Sequence, residues 1–190
     1  MRKWGTMRKV LAVSAILGLL IGCELPSPKP TYNGEVIESS KDLAIGYGRL
    51  GPAKVGMTKR EALDTGLFSR QKFDPADKCK ASALKWKKQF KAVEVRTDTA
   101  GTIRSLSVVG PGPTTQYGVG VGSDLSDVRG SYGATMSPTK IGRKLSAGFV
   151  QKDEAWIGFL FDDDPEDEVL DPIVFIEVTE GSKPQLQPTC

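Results

Sequence analysis

The chain contains no histidine in its 190 residues, which limits the chemistry open to its other reactive side chains. Without imidazole there is no Ser-His-Asp triad, no Cys-His nucleophile pair and no histidine-bound zinc or haem. One candidate nucleophile lies in Ser82-Ala83-Leu84-Lys85, because one helical turn would bring the lysine to the serine. The Ser-Asp-Asn and Lys-Thr-Gly elements that accompany this motif do not occur in the chain. We interpret the spacing as a chance match and predict no catalytic residues.

A run of carboxylates near the end of the chain offers the hard oxygen ligands that Ca²⁺ prefers. The run is Asp162-Asp163-Asp164-Pro165-Glu166-Asp167-Glu168, with Asp171 close behind. An EF-hand-type loop needs acids at alternating positions and a glycine within the loop, which this run lacks. We interpret it as a solvated connection between two strands and predict neither a bound metal nor another cofactor.

Two further patterns have both a functional and a structural interpretation. Six lysines surround Trp86 and Phe90, namely Lys78, Lys80, Lys85, Lys87, Lys88 and Lys91. Such a patch would attract anionic lipid head groups or wall polymers. We prefer a solvated face with Trp86 and Phe90, spaced i, i+4, in the core. The glycine-rich segment 118–122 lacks a phosphate-binding lysine and indicates a turn.

The N-terminus is typical of a secretory signal peptide, with a basic start followed by the apolar residues 10–22. As a helix these would span about 20 Å, too short for a hydrocarbon core of about 30 Å. Leu20-Ile21-Gly22-Cys23 resembles the lipobox of bacterial lipoproteins. The resemblance implies transfer of diacylglycerol to the Cys23 thiol and cleavage before it. We expect a lipid anchor at the extracytoplasmic face of the cell membrane; an uncleaved anchor or a plain signal peptide is the alternative.

The basic excess of the chain is concentrated in this signal. Four of the 26 basic residues, and none of the 23 acidic ones, lie in residues 1–22, so the remainder is nearly neutral. We therefore predict no nucleic-acid partner. Residues 23–41 follow the anchor with Pro26, Pro28 and Pro30, which favours an extended tether. The alternative is that this segment docks on the folded domain.

If Cys23 carries lipid, Cys79 and Cys190 remain in an oxidising compartment, where a pair of cysteines is expected to form a disulfide. The bridge would close a long loop and hold the tail, residues 184–190. In the chain-entropy model it is worth roughly 4–5 kcal/mol. The alternative is two free thiols.

Residues 42–183 are expected to form one α+β domain, an antiparallel sheet with two short helices. Thr58-Lys59-Arg60-Glu61 and Asp124-Leu125-Ser126-Asp127 are capping patterns, the first helix ending at Gly66. Residues 80–92 fit either a helix or the approach to a strand. The sequence predicts strands at 43–48, 92–96, 102–108, 145–151, 155–161 and 173–179, the second and third of which form a hairpin pattern around residues 97–101.

The two helix starts align, Val55-Gly56-Met57-Thr58 with Val121-Gly122-Ser123-Asp124, each followed by an acid three residues after the cap. Either this is a weak tandem repeat, or two turns solved one capping problem independently. The first copy, with Glu61-Ala62 after it, resembles the Gly-Met-Thr helix start of β-lactamase-inhibitory-protein-like repeats and of barrel-assembly lipoproteins of the SmpA/OmlA type. The whole layout is also similar to small actinobacterial lipoproteins of unassigned function. The resemblance implies helices packed on an antiparallel sheet that binds proteins rather than catalysing a reaction.

We therefore expect a non-catalytic, membrane-anchored module that binds or inhibits an envelope or extracellular protein. Two alternatives remain open. One is an envelope hydrolase that uses paired carboxylates, which needs no histidine. The other is a structural spacer between membrane and wall.

Overall fold

The computed structural model describes residues 29–77, 81–133, 136–162 and 172–187, which form a small, mostly β single domain of the α+β type. Its two α-helices are α1 (Lys59–Asp64) and α2 (Leu125–Tyr132). The strands are β1 (Thr31–Tyr32), β2 (Glu35–Val36), β3 (Ala44–Gly46), β4 (Arg49–Leu50), β5 (Ala53–Lys54), β6 (Phe68–Arg70), β7 (Leu84–Trp86), β8 (Val93–Thr97), β9 (Ile103–Val108), β10 (Thr114–Thr115), β11 (Thr139–Lys140), β12 (Leu145–Lys152), β13 (Ala155–Asp162) and β14 (Ile173–Glu180).

A six-stranded antiparallel sheet, in the order β11-β12-β13-β14-β9-β8, carries most of the core. A four-stranded sheet, β10-β3-β4-β5, is mixed, because β10 pairs with β3 in parallel. The expectation of a purely antiparallel sheet is therefore wrong for β10. The chain reaches β10 only after completing β4 to β9, a crossover long enough to allow parallel pairing.

Most of the predicted elements are confirmed. Both capping boxes form, with Thr58 accepting the N–H of Glu61 and Asp124 accepting the N–H of Asp127. The hairpin β8–β9 and the late strands β12, β13 and β14 lie where the sequence predicts them. Strand β8 alternates between more and less buried residues, whereas β9, β13 and β14 are buried along most of their length, as short apolar runs predict.

The ambiguous segment 80–92 contains strand β7, not a helix, in its described part. Trp86 and Phe90 are buried as expected, but their i, i+4 spacing is not helical. The Trp86 ring lies between two other rings, 4.3 Å from the centroid of Phe68 and 5.7 Å from that of Phe90. These ring contacts hold β7 against β6 and bury the hydrophobic side of the lysine-rich segment.

The N-terminal boundary of the domain lies earlier than residue 42, where the sequence placed it. β1 and β2 form a hairpin, and the Ile37 N–H donates to the Pro30 carbonyl at 2.8 Å. Ile37 is 3% exposed and belongs to the main core cluster. From Thr31 onward the expected tether is docked on the domain, because Ile37 provides apolar surface that a polyproline-type tether would leave in water.

The last described residues, 183–187, lie across the outer face of the six-stranded sheet, the face opposite the helices. The Lys183 ammonium lies 3.8 Å from the centroid of the Phe149 ring. Pro184 and Leu186 are buried over Gly158, where a Cβ would lie 2.9 Å from both side chains. We call residues 183–187 the C-terminal strap.

The segments before α1 and α2 form the same hydrogen bonds. Gly56 donates its N–H to Ile103 O, and the Ile103 N–H donates to Met57 O, at 2.8 and 2.9 Å. Before α2, the N–H of Gly122 donates to Ile173 O, and the Ile173 N–H donates to Ser123 O, both at 2.8 Å. Ile103 and Ile173 are the first residues of β9 and β14, the fourth strands after their helices. Both glycines have positive φ, +84° and +98°, which side-chain-bearing residues rarely adopt.

We call the elements from α1 to β9 the first half and those from α2 to β14 the second half. The hairpins at the ends of the two halves, β8–β9 and β13–β14, also share an irregularity. The register of β8 with β9 shifts between Arg96 and Thr97, and that of β13 with β14 between Leu160 and Phe161. The pair that follows the shift also corresponds in the two hairpins. Thr97 faces Ile103 in β8–β9, and Phe161 faces Ile173 in β13–β14. A β-bulge at one position in both hairpins twists them alike.

The halves meet through their last strands, β9 and β14. These pair antiparallel in the register Ile176 to Val108, Glu177 to Ser107 and Val178 to Leu106. When Ile103 is superposed on Ile173, residues 106–108 take the places of residues 176–178 and the reverse. The two outer pairs then exchange, and the pair of Ser107 with Glu177 maps onto itself. The junction therefore has approximate two-fold symmetry about Ser107 and Glu177.

Neither of the helices in the described ranges has the length and apolar character that crossing a membrane requires.

Candidate binding groove

A groove with a volume of about 490 Å³ opens between the four-stranded sheet and one end of the six-stranded sheet. Its sides come from the β3–β4 turn, from the β10 turn, from the end of α2 and from the β12–β13 turn. The aromatic and charged side chains that line it are those of Tyr47, Arg49, Lys54, Tyr117, Tyr132, Lys152 and Glu180. We call this feature the tyrosine groove.

Three tyrosines hold one another in the groove by edge-to-face contacts. Tyr132 lies in the middle, with ring centroids 6.4 Å from Tyr47 and 5.4 Å from Tyr117, at interplanar angles of 89° and 88°. Its other side contacts the buried ring of Phe159 at 5.8 Å. Tyr117 is 55% exposed. The groove therefore presents a ring that is fixed by its neighbours and still open to a ligand.

Each groove tyrosine is followed by a glycine with positive φ: Gly48 at +63°, Gly118 at +81° and Gly133 at +107°. The first two lie in β-turns and the third caps α2. A left-handed residue turns the chain sharply, so the preceding side chain lies at the end of an element instead of along its face. This Tyr-Gly pair, which occurs three times, is the signal in the sequence from which the groove could have been predicted but was not.

The environment keeps two of these phenols neutral. Burial raises the pKa of Tyr47, and the neighbouring Tyr117 adds to the effect. Burial also raises the pKa of Tyr132, although a hydrogen bond with Thr115 opposes part of the shift. Both hydroxyls are therefore hydrogen-bond donors at neutral pH.

The charged side chains of the groove lie on two different sheets. Arg49 and Lys54, on β4 and β5, form what we call the cationic end. Lys152 and Glu180, which both flank Ala155 in the six-stranded sheet, form what we call the acidic end. A smaller cavity at that second end adds Asp153 and Glu154.

The carboxylates at the acidic end are all exposed, which matters for hydrolysis. Hydrolysis by paired carboxylates needs two of them to face one substrate. Asp153, Glu154 and Glu180 lie at the surface. Glu177 is 1% exposed, but its Oε2 accepts the Leu186 N–H at 2.7 Å under the C-terminal strap. The described carboxylates of the groove are therefore exposed charges and not a buried pair.

The other residues singled out in the sequence lie away from the groove. Ser82 is buried and its hydroxyl donates to Thr97 Oγ1 at 3.4 Å, whereas Lys85 is exposed on strand β7. A strand does not bring residues i and i+3 together as a helical turn does, so this pair makes no catalytic unit. Within the described residues no three potential metal-ligating side chains cluster.

Several predicted positions lie outside the described residues. They are Cys23 with the whole signal segment, Cys79 and Cys190 of the expected disulfide, Lys78, Lys80 and the acidic residues 163–171. The predictions made for them remain predictions.

Comparison with known proteins finds no match for this chain among family profiles, curated proteins or solved structures.

Proposed function

We propose that the protein is a lipid-anchored, extracytoplasmic module that binds a protein partner without catalysis, and that the tyrosine groove is its contact surface. The observation that carries the proposal is the exposed Tyr117 ring, held at right angles against Tyr132. Tyrosine is enriched at binding hot spots, because it buries much apolar area at little conformational cost and keeps a polar tip.

The fixed rings support a binding role on energetic grounds. A side chain that must be ordered on binding costs roughly 0.5–1.5 kcal/mol. Tyr132 already contacts Tyr47, Tyr117 and Phe159, so this cost is largely met in the free protein. The cavity size also lies within the range of about 300–1,000 Å³ typical of ligand sites.

We further propose that the two halves are tandem copies of one unit, a capped helix followed by four strands. Three observations support a repeat over two independent turns, namely matching hydrogen bonds before the helices, matching positions of the register shift and the symmetric register of β9 with β14. A shared capping problem alone would not reproduce a register shift more than thirty residues after each helix start, in hairpins that the cap does not touch. The groove lies near the start of both copies, since Arg49 and Lys54 precede the first helix, Tyr117 precedes the second helix and Tyr132 ends it.

In this proposal Cys23 carries the lipid and residues 24–30 separate the domain from the membrane surface. Two acyl chains give stable anchoring where a single chain is marginal. The disulfide of Cys79 with Cys190 would hold the end of the C-terminal strap.

The test compares the full-length lipoprotein with Tyr117→Ala in the cells that produce it. After chemical crosslinking, tagged protein is recovered from membranes and the crosslinked proteins are identified by mass spectrometry. We expect one specific partner with the wild type and at least a tenfold lower yield with Tyr117→Ala, because the variant removes the open ring of the groove.

Ile141→Ala is the matched control. Ile141 is 54% exposed, against 55% for Tyr117, and lies outside the groove. Equal recovery of the partner by both variants would contradict a binding role for the groove. Recovery of wall polymer alone by the wild type would favour the spacer or the hydrolase.

A further inference from the structure

The cationic end of the tyrosine groove contains an arrangement that is unfavourable in the free protein. Arg49 on β4 lies directly opposite Lys54 on β5 in antiparallel register. Like charges in this relation destabilise a sheet. Among the described residues no carboxylate forms an ion pair with either side chain. An anion bound to Arg49 and Lys54 would therefore reduce this repulsion and stabilise the pair.

The Arg49 side chain is also held in place. Its Cζ lies 5.7 Å from the centroid of the Tyr32 ring, within the range of a cation–π contact. On its other side is Gly46, where a Cβ would lie 2.7 Å from Arg49 Nε. A side chain at this position would therefore force Arg49 to shift. The contacts with Tyr32 and Gly46 thus define the position of the Arg49 side chain before any ligand arrives.

Tyrosines surround this cationic pair on both sides. Tyr32 lies beneath Arg49, while the groove that Arg49 and Lys54 line continues to Tyr47, Tyr117 and Tyr132. All four tyrosines of the chain therefore lie at or beside one site. A ligand that fits it presents a carboxylate to the cations and an apolar ring or proline to the tyrosines.

The opposite end sets the orientation of such a ligand. Glu180, Asp153 and Glu154 lie near Lys152 and would repel a second carboxylate there. An anionic group is therefore favoured only at the Arg49–Lys54 end. A uniformly charged surface, such as a bilayer of anionic lipid, would meet repulsion at the acidic end.

We propose that the tyrosine groove recognises an acidic peptide segment with an aromatic side chain, its carboxylate bound by Arg49 and Lys54. The inference rests on the proposed function and names the chemistry of the partner. Charge-assisted hydrogen bonds from an oriented arginine to a carboxylate are among the stronger polar contacts in proteins. Their formation would also remove the like-charge repulsion across β4 and β5.

The test uses a fluorescein-labelled random copolymer of glutamate and tyrosine as the probe, with fluorescence anisotropy as the readout. We expect saturable binding by the wild-type protein that weakens as salt is raised, and at least a tenfold higher dissociation constant for Arg49→Gln/Lys54→Gln. The matched control is Lys85→Gln/Lys88→Gln, which removes the same charge from exposed positions on or beside β7. Its dissociation constant should stay within twofold of the wild type.

Two outcomes of this binding experiment would overturn the inference. One is equal binding of the copolymer by both double variants, which would assign the effect to net charge. The other is tighter binding of phosphatidylglycerol vesicles than of the copolymer, lost in Arg49→Gln/Lys54→Gln, which would make the site a lipid contact. If partner recovery in cells depends on Tyr117 but not on Arg49 and Lys54, the proposed function holds and this inference fails. Circular dichroism of each variant checks that it is folded.

Discussion

Glu177 and Ser107 face each other at the junction of the two halves, and Glu177 is the one carboxylate among the described residues that is fully buried. Its Oε2 accepts the Leu186 N–H at 2.7 Å, and its Oε1 lies 3.9 Å from Arg96 Nη1. A single side chain thus joins the centre of the six-stranded sheet to the C-terminal strap.

Replacing Glu177 should loosen the strap and lower stability. Glu177→Ala leaves the Leu186 N–H without its acceptor, and an unsatisfied buried donor costs about 1–3 kcal/mol. Glu177→Gln keeps an acceptor oxygen and should lose less. Urea unfolding at pH 7 measures both, with hydrogen exchange at Leu186 as the local readout. A Glu177→Ala protein as stable as the wild type would show that the strap does not depend on this bond.

The capping boxes predict how stability responds to acid. Hydrogen bonds from Thr58 lower the pKa of Glu61, and those from Ser126 and the Asp127 N–H lower the pKa of Asp124. A pKa lower in the folded than in the unfolded chain contributes stability that is complete above the unfolded value. It is lost as the pH falls through the folded value. Unfolding free energy should therefore decline from about pH 4.5 downward, below the ordinary values of these groups.

Thr58→Ala tests the same box at neutral pH. Loss of the cap should cost about 1 kcal/mol at pH 7 and should flatten the acid decline, since Glu61 loses the hydroxyl that favours its charged form. Thr139→Ala, an exposed change on β11, serves as the control and should alter neither. Parallel acid curves for Thr58→Ala and the wild type would contradict this account of the decline.

The predicted disulfide can be examined from the residues on either side of it. Arg96 Nη2 donates to the Gln187 carbonyl at 2.9 Å, three residues before Cys190. The next residue of β8, Thr97, accepts the Ala83 N–H at 2.8 Å, four residues after Cys79. The described residues nearest to the two cysteines therefore contact adjacent residues of the edge strand β8, which is the arrangement expected if the bridge forms.

We therefore expect one Cys79–Cys190 peptide in a non-reduced digest, and equal losses of melting temperature in Cys79→Ser, Cys190→Ser and the double variant. Equal losses would follow because each change opens the same loop. Labelling of both thiols in the unreduced protein would rule out the bridge.

The sequence predicted strands and helices wherever a pattern was local. The capping boxes at Thr58 and Asp124 and the apolar run of β14 depend on neighbours a few residues away. The parallel pairing of β10 with β3 and the docking of β1 and β2 could not be predicted, since they depend on surfaces formed by distant segments. The tyrosine groove was missed for the same reason, because Tyr47, Tyr117 and Tyr132 come from separate segments that meet only in the folded domain.

Site-specific photo-crosslinking in intact cells tests whether the tyrosine groove contacts a protein partner. A photoreactive phenylalanine replaces Gln116, an exposed residue that lines the groove, or Lys88, an exposed residue far from it in the sequence and outside its lining. We predict a discrete adduct of one protein from position 116, absent from position 88 and diminished by Tyr117→Ala. The same adducts from both positions, or none from position 116, would contradict the claim.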